Sequence, residues 1–410
     1  MLPTDHPSGA RHSRLSGQRA ADFSAIRDRR STEELDTMQD QARPTVSIII
    51  KALNEERHMA AVIESALAAL DGIDGEVILA DAASTDRSIE IAKRYPIKIV
   101  QLDNIEDRSC GSGAQLGFQY SSGRYLCLID ADMRLHEGYV AAAIRFLDEN
   151  PEVGGVGGLH YERNTSNIEF AQRAKRADPD RAAGYVTRLN GNGVYRRSAI
   201  ETIGHLTDRN LHGGEELDLG ARLQAASWKL ARINHPAIDH YGHTGSAFRL
   251  LLRRMLTLNA FGTGELVRSA IGRPHFWFIL RHDRNCLLCL LVAGWWLTLA
   301  IAILVECRSH ILLALVALGL FPIVVMSVRW RSLRNGLYSV AAWNMFTIGF
   351  LPGLLRRRVS PTRWIDSSVV EPGPTPIKRP VSAARQERAA RAAVSPQAFN
   401  RAAPARPQFN

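Results

Sequence analysis

The opening residues hold no apolar run, cysteine is sparse, and no glycine-rich turn follows the first strand; each absence removes a class of protein. The 410-residue chain begins without the apolar core of a secretory leader, so no signal peptide is expected. Its five cysteines, Cys110, Cys127, Cys286, Cys289 and Cys307, are too scattered for a disulfide framework or a zinc site. Cys286 and Cys289 lie one helical turn apart within an apolar segment, where packing is their expected role. The formal net charge of +10 is spread along the chain without a nucleic-acid motif. An anionic membrane surface, not nucleic acid, is the partner this implies.

What is present is unevenly distributed. Residues 1–43 are polar and aperiodic, and 366–410 are basic and rich in Pro and Ala; both compositions predict disorder. Between them the pattern predicts an α/β domain over 44–260 and a helical membrane region over 261–365. Thr45 to Ile50 is a β-branched run that reads as a buried parallel strand. An amphipathic helix through Leu70 follows it, then a strand at Glu76–Ala80 that delivers Asp81 to its end. Ser84 or Thr85 is expected to cap the next helix, Ser88 to Arg94. A short strand, Ile97 to Gln101, leads to the small residues Ser109–Ala114, which could bring backbone N–H groups to a phosphate at a helix start. A helix over Glu137–Leu147 and a strand over Val153–Leu159 complete the alternation.

The stretch with the sharpest chemistry is the apolar run Leu126–Ile129, which ends in Asp130-Ala131-Asp132. Two carboxylates at the carboxyl end of a buried strand stand where open α/β sheets bind ligands. Hard oxygen donors there suit Mg²⁺ or Mn²⁺ with positions left for substrate phosphates. The missing glycine-rich turn, replaced by Lys51-Ala52-Leu53-Asn54, disfavours a dinucleotide-binding dehydrogenase and a nucleotidyltransferase.

Taken in order, these motifs resemble the family-2 inverting glycosyltransferases of the GT-A fold. The resemblance covers about residues 45–255. It rests on the opening strand with Asn54-Glu55-Glu56, the Asp81–Asp86 element, Gln115, the Asp130-Ala131-Asp132 triplet, the glycine-rich Gly191–Arg197 segment, and Glu215-Glu216-Leu217-Asp218-Leu219 with Arg222. It implies a mixed Rossmann-like sheet and a hexosyltransferase-like activity on a nucleotide-sugar, a UDP-sugar foremost. It further implies that Asp81 binds the base, with Ala52, Asn54, Glu55, Ser84, Gln115, Asp130 and Ala131 in the donor pocket. Asp132, Asp130 and a histidine, His243 ahead of His240, would hold the metal. Glu216 would be the catalytic base with Asp218 in reserve, and Gly191, Asn192, Gly193 and Glu215 would face the acceptor. Lys51, Leu53 and Gln115 depart from the residues common in that family, and Glu216 is one methylene longer than the usual Asp. The (Q/R)-x-x-R-W motif of processive synthases is absent around Arg249–Met255, so one sugar per encounter is expected. Arg253 and Arg254 are candidates for contact with a lipid diphosphate.

Asn285–Val305 and Ile311–Val328 are each near the ~20 apolar residues that cross a bilayer. Arginines flank both outer ends, which by the positive-inside rule places the catalytic domain in the cytoplasm at a bacterial inner membrane. Leu337–Leu355, interrupted by Asn344, Gly349, Pro352 and Gly353, reads as an interfacial or re-entrant helix. Together these features predict a metal-dependent, non-processive transferase that acts on a polyprenyl-diphosphate-linked glycan during exopolysaccharide synthesis. The competing reading is a membrane scaffold with an inactive nucleotide-sugar-binding domain.

Overall fold

The computed structural model describes residues 43–371 except 176–178, 243–244 and 306–308. The disorder expected for 1–43 and most of that expected for 366–410 therefore fall outside the described residues. Strands β1 (Val46–Ala52), β2 (Gly75–Asp81), β3 (Lys98–Leu102) and β4 (Tyr125–Asp130) form a parallel set in the order β3-β2-β1-β4. β1 is apolar on both faces because both faces are covered. Val46, Ile48 and Ile50 pack towards helices α1 (Met59–Ala69) and α4 (Tyr139–Glu149), and Ile49 packs towards α3 (Cys110–Gln119). Each such isoleucine, fully buried, contributes roughly 1.5–3 kcal/mol.

The sheet continues with mixed pairing. β8 (Val194–Arg196) runs antiparallel to β4, and β6 (Val153–Glu162) lies beside it, parallel to β9 (Lys229–His240). β5 (Met133–Leu135) closes that side against β9. Strand order reverses at β1, which is flanked by β2 and β4, and a crevice opens at the carboxyl ends of strands around such a point. Lys51 and Asp130 are register partners there, as are Ala52 and Asp81.

Two sequence expectations change and one narrows. Ser84 and Thr85 do not cap helix α2 (Ser88–Ala92); the Asp86 carboxylate accepts its first N–H, from Ser88, while Ser84 and Thr85 are tied to Asn54. The opening turn of α3 lines the cleft through Ser109, Cys110 and Gly113, but several of its polar groups are engaged within the protein. Ser109 and Ser112 close a capping box, Gly111 N–H goes to the Leu211 carbonyl, and Gly111 lets the Asp208 carbonyl approach. Finally, Ser367–Val370 form strand β10, antiparallel to β3, instead of belonging to a disordered tail. Ile365 is fully buried just before it, and Gln119 makes hydrogen bonds to the backbone of Ile365.

Long helices span Arg284–Val305, Ser309–Trp330 and Leu333–Leu355. The first and third are long and apolar enough to cross a membrane. The third runs as one helix through Gly349 and Pro352. Its glycines serve contact: a Cβ on Gly349 would stand 2.2 Å from the Ala260 carbonyl oxygen, and one on Gly353 2.2 Å from that of Phe261. Near its start, the Tyr338 hydroxyl donates to Glu169 (3.1 Å), and just past its end Arg356 meets Glu265 (2.7 Å). Arg356 also meets His212 (2.8 Å), so both ends of this helix touch the part of the chain that carries the sheet.

Candidate active site

A cleft of about 670 Å³ opens at the carboxyl ends of β1 and β4, lined among others by Lys51, Asn54, Glu55, Asp130, Asp132, Glu215, His240 and Arg253. Ala52 and Ala131 also reach it. Its walls are cross-linked by short polar contacts. Asn54, held at a φ of 57°, donates its N–H to the Ser84 hydroxyl (2.8 Å) and accepts the Thr85 N–H (2.7 Å). Glu55 and Glu56 N–H groups go to Ser88 and Asp86. The loops after β1 and β2 thus form one rigid rim.

Lys51 Nζ stands 2.8 Å from Asp130 Oδ1 and 3.7 Å from Glu215 Oε1. Burial opposes its charge, but Asp130, Glu215 and Glu216 outweigh that and hold the ammonium protonated, well above its ordinary range. The sequence marks Lys51 only as a departure from a family pattern; its cation among three acids, Asp130, Glu215 and Glu216, has no local signature.

Helix α7 (Glu215–Ala225, numbering after α5 Ile168–Lys175 and α6 Arg197–Thr202) begins at Gly214 with a φ of 80° and carries Glu215, Glu216 and Asp218 in its first turn. Carboxylates are favoured there by the helix dipole. Glu215 lines the cleft. Glu216 turns to Gly191: a Cβ on that glycine would meet Glu216 Oε1 at 3.2 Å and Asp130 Oδ2 at 3.4 Å. Gly191, with a φ of 78°, is therefore the seam along which these two acids from distant parts of the chain approach one another. Burial and the Glu215 carboxylate push Glu216 up to about 7, against the pull of Lys51.

Other expected members lie elsewhere. The Asp81 carboxylate is fully buried and accepts from Ser84 N–H, the Ser84 hydroxyl and Gln101; it fixes the rim from behind and does not line the cleft. Gln115 is buried on the far face, where its carbonyl oxygen accepts the Leu206 and Thr207 N–H groups. Asp218 is committed to Arg222 at 2.7 Å, and Arg222 also donates to the His205 and Leu206 carbonyls. That network holds Asp218 ionised, below its ordinary range despite burial, and commits its carboxylate to Arg222. Asn192 is buried, with its carbonyl accepting from the Tyr139 hydroxyl (2.6 Å). Gly193 is required by the Tyr195 ring, which a Cβ would meet at 2.4 Å. Arg253 and Arg254 both line the cleft, and Arg254 is engaged bidentately by Glu169.

His243 lies outside the described residues. His240 stands beside the acidic triplet, Nε2 3.2 Å from Asp132 Oδ2 and Nδ1 2.6 Å from Glu162 Oε2. Burial works against its charge, yet the hydrogen bonds to Asp132 and Glu162 push it up to about 9. Burial and Asp132 likewise raise Glu55 to about 7, with Arg253 opposing. The donor set of Asp132, His240 and nearby Asp130 fits a divalent cation. Oxygen and imidazole ligands suit Mn²⁺ or Mg²⁺, and the Asp132–His240 separation is close to the roughly 3 Å between adjacent ligands of an octahedral ion with bonds of about 2.1 Å.

Comparison with known proteins bears on the family and the fold. The model of the glycosyl transferase family 2 matches residues 47–204. The putative glycosyltransferase EpsE of Bacillus subtilis is 28% identical over 193 residues, 44% of this chain and 66% of that protein. The succinoglycan biosynthesis protein ExoA of Rhizobium meliloti is 25% identical over 215 residues, covering 47% of this chain and 62% of its own length. The chain spans about half the length of the curated relatives it matches. Among solved structures, the mannosyltransferase PcManGT of Pyrobaculum calidifontis, in complex with GDP-Man and Mn²⁺, superposes with a TM-score of 0.51 at 17% identity, covering 75% of this chain and 87% of that one. The shared fold is GT-A.

Proposed function

Because the chain carries a glycosyl transferase family 2 domain, we propose that it moves a sugar from a nucleotide-sugar, a UDP-sugar in the first instance, to a lipid-linked glycan at a membrane. The observation that supports this reading is the approach of Glu216 and Asp130 across Gly191, as a base and a donor-side acid would need to stand. Ala52, Asn54, Glu55 and Ala131 form the donor wall, and Asp132, Asp130 and His240 hold Mn²⁺ or Mg²⁺. When bound, such an ion neutralises charge on the departing nucleotide diphosphate. Glu216 takes the proton of the acceptor hydroxyl as that oxygen bonds to the anomeric carbon and the bond to the diphosphate oxygen breaks, with inversion. A carboxyl raised to about 7 suits that task, since a base works best with a pKa near the working pH. Glu215 and Gly191 bound the acceptor side.

The membrane reading rests on the apolar helices. The Arg284–Val305 and Ser309–Trp330 helices form the crossing hairpin with both outer ends cytoplasmic. The Leu333–Leu355 helix, tied near its start to Glu169 and just past its end to His212 of the catalytic part, lies along the interface. Domain limits of 44–260 and 261–365 follow, except that the sheet draws one strand from beyond the helices. The test is a panel of nucleotide-sugars offered with Mn²⁺ to the full chain in detergent and to membranes containing it, with labelled lipid product as readout. Full activity in Asp132→Ala or Glu216→Gln would overturn the assignment.

A further inference from the structure

Glu162 ends β6 and His240 ends β9, and the two are register partners on parallel strands. The Glu162 side chain is only 4% exposed and that of His240 8%. A carboxylate so deep must be compensated, and here the compensation is ordered. Glu162 Oε1 lies 3.4 Å from His160 Nε2 and 3.7 Å from an Arg181 guanidinium nitrogen. Glu162 Oε2 lies 2.6 Å from His240 Nδ1. On the far side of the ring, His240 Nε2 faces Asp132. A line of groups therefore runs from Arg181 and His160 through Glu162 and the imidazole to the acidic triplet. The Phe170 ring stands edge-on to that imidazole at 5.6 Å.

A carboxylate that accepts from Nδ1–H fixes an imidazole in the tautomer whose lone pair is on Nε2, sets the ring's orientation and strengthens it as a ligand. We propose that Glu162 is a positioning residue: it locks His240 with Nε2 presented beside Asp132 as a nitrogen ligand for a divalent cation. This rests on the reading that Asp132 and His240 share that cation. A cation seated instead among His160, Glu162 and His240, whose donor atoms all lie within 4.8 Å of one another, would have the Arg181 guanidinium as a close neighbour. The 2.6 Å separation of Nδ1 and Oε2 is a hydrogen-bond length, shorter than the roughly 3 Å between adjacent ligands of an ion with bonds of about 2.1 Å.

The experiment uses the full chain in detergent and Mn²⁺ alone. Affinity is read from the electron paramagnetic resonance of free Mn²⁺, and imidazole coordination from ¹⁴N modulation of the bound ion. Wild type should show the modulation and His240→Ala should lose it. Glu162→Gln, with a melting temperature in EDTA close to wild type, should bind Mn²⁺ about 10- to 100-fold more weakly. An affinity within twofold of wild type overturns the proposal. Binding that survives Asp132→Ala but disappears in His160→Ala overturns it in favour of the three-residue site. No ¹⁴N modulation in wild type removes the underlying reading of His240 as a ligand, a failure distinct from an unchanged Glu162→Gln affinity. Should Glu162→Gln not fold, ¹⁵N-histidine resonances of the wild type saturated with Mg²⁺ decide: the neutral Nδ1–H tautomer for His240 is expected, and either the Nε2–H tautomer or a ring protonated on both nitrogens overturns the proposal.

Discussion

Lys51 Nζ and Asp130 Oδ1, 2.8 Å apart, join the carboxyl ends of two adjacent parallel strands at the point where strand order turns. The pair places a fixed cation beneath the acidic triplet. Replacing it by Lys51→Met leaves Asp130, whose side chain is 37% exposed, to solvent compensation, so the loss of stability should be small, about 1 kcal/mol. The larger effect falls on Glu216, from which one stabilising charge is removed. The pH–rate midpoint should move upward, as measured by initial rates in a buffer series.

Wild type should itself show a rate that rises through pH 7. Glu216, held at about 7, is inactive as a base when protonated below that value and active when ionised above it. Glu55 also lies at about 7, so the two must be separated. The midpoint should survive in Glu55→Gln and vanish in Glu216→Gln, where the rate should drop about 10²- to 10⁴-fold; a midpoint lost with Glu55→Gln would reassign it.

Asp218 should behave differently from Glu216 although they share one helical turn. Asp218→Ala strands the buried Arg222 guanidinium and should cost about 3–5 kcal/mol of stability. Urea denaturation should reveal this, whereas a loss of rate at unchanged stability would return Asp218 to the chemistry.

Removing divalent ions with EDTA should abolish transfer, and Mn²⁺ should restore it in wild type. Asp132→Ala should not recover at any Mn²⁺ concentration that saturates wild type. Recovery would show that the cation is held without the triplet.

Ile365, fully buried between the long helices and the edge strand, should be a stability determinant. Ile365→Ala should cost about 2–4 kcal/mol, read as a lower melting temperature in detergent, with KM unaffected if the cleft is intact.

Much of this was legible in the chain because buried parallel strands are written as β-branched runs. Val46–Ile50 and Leu126–Ile129 announced their own burial, and hence which acids end at the crevice. Motif likeness could not show which carboxylates were already engaged. Asp81 and Asp218 resemble functional acids, yet Asp81 already accepts from Ser84 and Gln101, and Asp218 from Arg222. The Glu162–His240 contact joins residues 78 positions apart and has no local signature. Strand β10 was hidden for a similar reason: four residues in a tail rich in Pro, Ala and Arg become a strand only because β3 offers an unpaired edge.

That last strand has a consequence for the order of events at the ribosome. The edge of the sheet is completed by residues synthesised after every long apolar helix, so the nascent chain holds an open, aggregation-prone β3 edge until those helices have been made. Maturation of the cleft and placement of the helices are thereby joined in time: a chain interrupted before Ser367 exits with its fold unsealed.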